Sequence, residues 1–105
     1  MAKGAFSGAA EVHFVPRENG PEHLVTEAEI HFEEGPLAGT RLVGFSLWRS
    51  AEGEIYVTFP SRAFGAGTER RYFDYLRAIE SDPETVKRVK AWILDEYRKA
   101  GEEAA

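Results

Sequence analysis

The amino-acid sequence predicts an α+β fold, with an antiparallel β-sheet of four to five strands and one C-terminal α-helix packed on it. Three observations predict it: four segments alternate apolar and polar residues, turn residues separate them, and one late segment has a helical apolar period. The chain has 105 residues and no internal repeat or low-complexity linker. We therefore expect residues 1–105 to form a single domain, with frayed ends at 1–8 and 101–105.

The first two strands are predicted at residues 9–15 and 24–32. Val12 and Phe14 alternate with charged or polar neighbours in the first strand, and Ile30 belongs to the same kind of alternation in the second. The connection holds two prolines and an Asn-Gly pair, which is the chemistry of a turn. We therefore predict an antiparallel pair of strands with one face exposed to solvent.

The next two strands are predicted at residues 40–49 and 54–59. Between them, Gly53 can take the positive φ that a short turn needs, which predicts a hairpin. Apolar residues occur on both faces of this hairpin, so we expect it to lie near the centre of the sheet. Pro60 cannot donate a ladder hydrogen bond and ends the fourth strand.

The alternation in the third strand predicts which side chains share a face. Val43, Phe45 and Leu47 are predicted on one face, with Leu42 and Trp48 on the other. Since one helix covers only one face of a sheet, we expect Leu42 and Trp48 to form a dimer interface. The alternative is that Trp48 simply caps the core.

The segment after Pro60 is predicted to hold a loop and then an ambiguous element. Residues 61–68 contain two closely spaced glycines, so we expect a mobile loop. Its glycines also permit an anion-binding arrangement of backbone N–H groups, although the spacing is not a nucleotide fingerprint. Residues 70–79 fit both a helical and a strand period, and we favour a strand.

The C-terminal helix begins at the segment Ser81-Asp82-Pro83-Glu84, which offers a cap, an early proline and a glutamate placed for a capping box. Gly101 is predicted to end the helix. The apolar stripe that packs on the sheet comprises Val86, Val89, Ile93, Tyr97 and Ala100.

Composition and motifs exclude several classes of function. There are no cysteines, hence no disulfides or thiolate sites, and no apolar run reaches the ~20 residues of a membrane helix. The N-terminal residues do not resemble a signal peptide, so we expect a cytoplasmic protein. No Gly-x-Ser-x-Gly or His-Glu-x-x-His motif occurs, and we expect no enzyme activity, no cofactor and no small-molecule substrate.

The three histidines do not predict a metal site. If the first hairpin is centred on Asn19 and Gly20, His13 lies opposite about residue 26, so His13 and His31 are not directly opposed. His23 belongs to the turn. We therefore expect no bound metal ion.

Charge is unevenly distributed along the chain. The net charge is −5, yet residues 61–99 carry 9 basic and 7 acidic side chains. The candidate phosphate-binding residues are Arg62, Arg70, Arg71, Lys87, Lys90 and Arg98. Phe64 and Tyr72 are interleaved with them and are candidates for stacking on unpaired bases. The alternative is an ordinary solvated surface in which the cations pair with Glu69, Asp74 and Asp95.

Two parts of the chain carry a family resemblance. The segment Gly53-Glu54-Ile55-Tyr56-Val57-Thr58-Phe59-Pro60-Ser61-Arg62 resembles the strand ending in Pro-Ser-Lys/Arg of the bacterial stage V sporulation protein G (SpoVG) family, also called the septation protein. Leu94-Asp95-Glu96-Tyr97-Arg98 resembles that family's closing helix. The resemblance implies a small homodimeric regulator, connected with sporulation and septation, that binds DNA and in some members RNA.

Two hypotheses for function follow. The first is a cytoplasmic, SpoVG-like homodimer that binds DNA or RNA as a regulator. The second is a dimeric protein–protein interaction module that does not bind nucleic acid and uses a sheet edge or the Trp48 face. The acidic N-terminal half favours the second hypothesis.

Overall fold

The structure is a computed structural model that describes residues 9–104, and the side chains of residues 9–101. Its elements in chain order are β1 (Ala10–Val15), β2 (Leu24–Phe32), β3 (Arg41–Arg49), β4 (Ile55–Thr58), β5 (Ser61–Phe64), a 3-10 helix (Gly67–Glu69), β6 (Arg71–Asp74) and α1 (Pro83–Ala104). Strands β1 to β4 form one sheet in sequence order with antiparallel neighbours, and β5 pairs with β6 in a second sheet. The predicted α+β fold is confirmed. The expected fraying of residues 1–8 lies outside the described residues.

The register of β1 and β2 differs from the predicted one. His13 lies opposite Glu29, three residues beyond the expected partner. The turn is not centred on the Asn-Gly pair. The Leu24 N–H donates to the Pro21 carbonyl at 3.1 Å, which forms a turn at residues 21–24, after that pair. This shift brings His13 and His31 to diagonal positions on one face of the sheet.

A β-bulge in β3 reverses part of the predicted face assignment. Leu42 lies opposite Ile30 and Phe45 lies opposite Ala28, so β3 has one more residue than β2 over this stretch. Leu42 therefore lies on the same face as Phe45 and packs against the core, whereas Val43 is half exposed. The expectation that Leu42 and Trp48 share an exposed face is wrong.

The core lies between one face of the four-stranded sheet and α1. Phe45 and Leu47 from β3 and Ile93 from α1 are fully buried, and α1 packs mainly against β4 with a smaller contact to β1. Val86, Val89 and Tyr97 of the predicted stripe pack against this core, whereas Ala100 is exposed. Burial of this apolar stripe is what holds a single helix on the sheet.

The two ends of α1 differ in how well the sequence predicted them. Asp82 caps the N-terminus, since its carboxylate accepts the Glu84 N–H at 3.0 Å. The helix does not end at Gly101 but continues to Ala104. The residues after Gly101 are Glu and Ala, which favour helix, and this outweighs the modest cost of one glycine.

The segment after Pro60 forms a two-stranded ribbon and not a mobile loop. Ser61–Phe64 (β5) pairs with Arg71–Asp74 (β6), so the loop prediction is wrong for residues 61–64 and the strand prediction is right for 71–74. The Tyr75 N–H donates to the Pro60 carbonyl at 2.9 Å and closes the base of the ribbon. Residues 61–73 are all exposed, so the ribbon stands apart from the core.

The bulge at Gly44 yields a prediction about stability. Gly44 has φ +105°, and a Cβ built on it would lie 2.7 Å from the Pro60 Cβ. We expect Gly44→Ala to lower the free energy of unfolding by about 2–4 kcal/mol, because backbone strain and the displacement of Pro60 add together. Urea unfolding followed by circular dichroism measures this change.

Gly53→Ala is the matched control. Gly53 has φ +91°, but no atom lies within 4 Å of the position that a Cβ would occupy there. This variant experiences the strain alone, so we expect a loss of about 1–2 kcal/mol. Equal losses for the two variants would show that the approach of Pro60 to Gly44 contributes nothing.

Candidate nucleic-acid interface

One side of the β5–β6 ribbon combines arginine and phenylalanine side chains. Arg62 lies opposite Phe73, and Phe64 lies opposite Arg71. Because side chains alternate along a strand, these four residues share one side of the ribbon. We call this side the Arg–Phe face.

The side chains of the Arg–Phe face contact one another. The rings of Phe64 and Phe73 meet edge to face, with their centroids 5.3 Å apart. The Arg62 guanidinium carbon lies 4.8 Å from the centroid of the Phe64 ring, which is cation–π distance. The two rings therefore form a preorganised apolar patch with a cation over one of them.

The Arg–Phe face is open to solvent, and its two arginines and the adjacent Arg70 have no carboxylate partner among the described side chains. Phe64 and Phe73 are each 45% exposed. Within residues 9–101, no carboxylate oxygen lies within 4 Å of a guanidinium nitrogen of Arg62, Arg70 or Arg71. Contrary to the alternative, these arginines therefore do not pair with Glu69 or Asp74.

Tyr72 does not belong to the Arg–Phe face. It lies opposite Ala63, on the other side of the ribbon, and is 65% exposed. The two candidates for base stacking, Phe64 and Tyr72, thus lie on opposite sides of the ribbon, and Phe73 is the aromatic residue beside Phe64. The missed signal is the match between two short alternating segments, residues 61–64 and 71–74, which sets the register once both are recognised as strands.

The turn of the ribbon is occupied by its own hydrogen bonds. The Glu69 N–H donates to the Ala66 carbonyl at 3.1 Å, and the Arg70 N–H donates to the Gly67 carbonyl at 3.3 Å. These two N–H groups form the 3-10 turn and are not directed at an external anion. The backbone anion site considered for this segment is therefore not supported at these two groups.

The predicted cations on α1 do not form one cluster. The Lys90 ammonium lies 5.4 Å from the centroid of Phe59, beside the base of the ribbon. The Lys87 ammonium nitrogen lies 3.5 Å from a carboxylate oxygen of Glu84, and both side chains are 71% exposed. Arg98 lies at the other end of β4, in a shallow depression with Glu54 and Tyr97. The structure thus brings Arg62, Arg70 and Arg71 together on the ribbon and separates Arg98 from them.

The face of the four-stranded sheet not covered by α1, here called the helix-free face, carries a different set of side chains. The rings of His13 and His31 stack there, with centroids 3.7 Å apart. The His31 Nε2 donates to the Glu29 carboxylate at 2.7 Å, and Arg41 donates to the same oxygen at 3.2 Å. Among the described residues, no group of three or more His, Cys, Asp or Glu side chains is arranged to hold a metal ion.

Trp48 also lies on the helix-free face. It is opposite Tyr56, which is 49% exposed, and its indole N–H donates to the Thr58 hydroxyl at 2.9 Å. Pro21 and His23 border the same shallow cleft. Of the two residues predicted for a dimer interface, Trp48 alone is on the helix-free face.

No helix among the described residues has the length and apolar character needed to cross a membrane. This agrees with the absence of a long apolar run in the sequence.

The environment of Glu29 yields a prediction about pH. The hydrogen bond from His31, opposed by burial and aided by Arg41, holds the pKa of the Glu29 carboxyl below its ordinary value of 4.5. A lowered folded-state pKa contributes stability that is present above pH 4.5 and is lost as the pH falls through the lowered value. We therefore expect Glu29→Gln to destabilise the protein at neutral pH, and this difference to shrink on acidification.

Urea unfolding at a series of pH values measures this difference. Glu52→Gln is the control, because Glu52 lies in the exposed β3–β4 turn and makes no side-chain hydrogen bond to a described residue. A wild-type to Glu29→Gln difference that is independent of pH would contradict the assignment.

No protein-family model, no curated protein and no solved structure matches the chain. The function is therefore argued from the geometry of the Arg–Phe face and its surroundings.

Proposed function

We propose that this protein binds nucleic acid through the β5–β6 ribbon and acts as a cytoplasmic regulator in the form of a homodimer. The observation that carries the proposal is the Arg–Phe face, in which Arg62 and Arg71 flank two exposed phenyl rings. Arginine neutralises phosphate and releases counterions, which supplies affinity that does not depend on base sequence. The resemblance to the SpoVG family agrees with this function.

The proposed contact is local, since the chain as a whole is acidic. The net charge is −5, but residues 61–77 carry Arg62, Arg70, Arg71 and Arg77 against Glu69 and Asp74. A local excess of positive charge on a projecting element can bind phosphate even when the distant field is weakly repulsive. The binding is therefore expected to be strongly salt-dependent.

A homodimer would double the cations presented to one nucleic-acid molecule. A single Arg–Phe face offers only two arginines, so two copies on one assembly give four. Linking two weak sites in this way raises the overall affinity without any new contact. Trp48 and Tyr56 on the helix-free face are the proposed subunit contact, because they are aromatic and partly or largely exposed.

The cleft at Trp48 also favours the second hypothesis, a dimeric protein–protein interaction module without nucleic-acid binding. Pro21, Trp48 and Tyr56 line this cleft, and aromatic side chains of this kind are enriched at protein interfaces. Failure of the protein to bind DNA and RNA at low salt would favour this module.

Substitution of the ribbon arginines tests the proposed function. The measurement is fluorescence anisotropy of labelled random-sequence DNA and RNA, titrated at several salt concentrations. We expect Arg71→Ala to weaken binding and to reduce the slope of log affinity against log salt by ~1, since one phosphate contact is lost. We expect the same for Arg62→Ala.

Arg98→Ala is the matched control. It removes the same charge from an exposed position at the far end of β4, away from the ribbon. Its salt slope is expected to equal that of the wild type. A slope insensitive to Arg62→Ala and Arg71→Ala, or reduced equally by Arg98→Ala, would contradict binding through the ribbon.

The oligomeric part of the proposal has its own test. Multi-angle light scattering is expected to give a mass twice the 11.7 kDa of the chain. Trp48→Arg is expected to shift this mass towards the monomer, because it places a charge in the proposed contact. Val43→Arg, at a position on the same strand that is 51% exposed, is the control and is expected to leave the mass unchanged. A monomeric wild-type protein would refute the dimer.

A further inference from the structure

We infer that the Arg–Phe face binds single-stranded nucleic acid, with unpaired bases stacked on Phe64 and Phe73. This inference rests on the proposed function and goes further, since it names the class of nucleic acid and the residues that select it. It combines the exposure of the two rings, their mutual geometry and the small number of nearby cations.

The rings of Phe64 and Phe73 are partly exposed to solvent. Phe64 and Phe73 pack on each other, and neither belongs to the buried core. Two phenyl rings that are each 45% exposed on a narrow ribbon leave apolar surface in water. A ligand with flat aromatic faces would cover that surface, and every nucleobase has such a face.

Single and double strands differ in whether the faces of their bases are free to stack on an aromatic side chain. In a duplex the base faces are stacked on one another, and the groove edges present hydrogen-bond donors and acceptors. A phenyl ring can satisfy none of these polar groups. In a single strand the bases can be splayed out and stacked on aromatic side chains. The phenyl rings therefore favour an unpaired strand.

The Arg–Phe face carries little positive charge for a surface that binds nucleic acid. The chain has a net charge of −5, and the Arg–Phe face has two arginines. A protein that holds duplex DNA through about 6–10 phosphate contacts needs more cations than the two of one Arg–Phe face. With few cations, a substantial part of the affinity must come from stacking.

Arg62 connects stacking to phosphate binding. Its guanidinium carbon lies over the Phe64 ring, 4.8 Å from the ring centroid, so a base would stack on the opposite face of Phe64 with the cation directly behind the ring. From there, its N–H groups can reach the phosphate of the same strand. Arg71, opposite Phe64 in the ribbon, adds a second arginine to the same face.

The test compares three labelled probes of about 12 nucleotides, which is within the usual site size. The probes are oligo(dT), oligo(U) and a mixed-sequence DNA duplex, and the measurement is the anisotropy titration used for the arginine variants. We expect the wild type to bind at least one single strand about tenfold or more tightly than the duplex. Tight binding of both single strands supports a contact with the bases, and tight binding of one alone supports it for DNA or for RNA.

Substitutions of the rings test the residue assignment. We expect Phe64→Ala and Phe73→Ala each to weaken single-strand binding about 5- to 100-fold, as for other stacked bases, and to change duplex binding little. Phe64→Tyr is expected to retain affinity and Phe64→Leu to lose it, since leucine keeps the apolar volume but not the aromatic face.

Tyr72→Ala is the matched control. It removes an aromatic ring that is more exposed than Phe64 from the same ribbon, but from the opposite side. Its single-strand affinity is expected to equal that of the wild type. An equal loss in Tyr72→Ala would overturn the assignment to the Arg–Phe face.

The remaining outcomes separate this inference from the proposed function. Equal affinity for duplex and single strands, with the arginine variants still weakened, would overturn the inference and leave the proposed function standing. Absence of binding to every probe would overturn both. If Phe64→Ala and Phe73→Ala instead convert a dimer to a monomer in light scattering, the rings form a subunit contact and the inference is overturned.

Discussion

The close approach of Pro60 to Gly44 is the constraint on which the shape of this protein depends. The bulge at Gly44 leaves no side chain where the Pro60 ring packs, and a Cβ there would lie 2.7 Å from the Pro60 Cβ. Pro60 in turn has no N–H to extend the main sheet, but its carbonyl accepts the Tyr75 N–H. The chain therefore leaves the sheet at Pro60 and returns at Tyr75, and the strands between pair only with each other.

The ribbon gains its chemical character from this separation. In the four-stranded sheet, α1 buries one face, and phenylalanine side chains such as Phe45 and Phe59 are part of the core. In the ribbon, the rings of Phe64 and Phe73 meet edge to face, Arg62 lies over Phe64, and each ring remains 45% exposed. Rings and cations left together in solvent form a surface suited to binding, because their burial requires a ligand. The fold thus divides the aromatic residues between the buried core and the exposed ribbon, for which nucleic-acid binding is proposed.

On the helix-free face, several charged side chains already have partners within the protein. Its histidines and glutamates bond to one another, and Arg41 completes the contacts of Glu29. Charges that are already paired offer little to a polyanion, and the carboxylates repel it. Among the described residues, the end of the face near Trp48 and Tyr56 carries large aromatic side chains without a formal charge. Phosphate recognition and subunit contact are consequently proposed on separate parts of the molecule.

The sequence by itself determined the four main strands and the capped start of the helix at Asp82, because each depends on local periodicity or on a local hydrogen bond. For residues 70–79 the periodicity fits both a helix and a strand, and pairing with β5 makes 71–74 a strand. It also identified Arg62, Arg71 and Phe64 as candidates. Only the tertiary structure decided that Leu42 faces the core, that Phe73 and not Tyr72 lies beside Phe64, and that Arg98 is remote from the ribbon. These outcomes depend on strand register and on a bulge, and a shift of one residue moves a side chain to the opposite face.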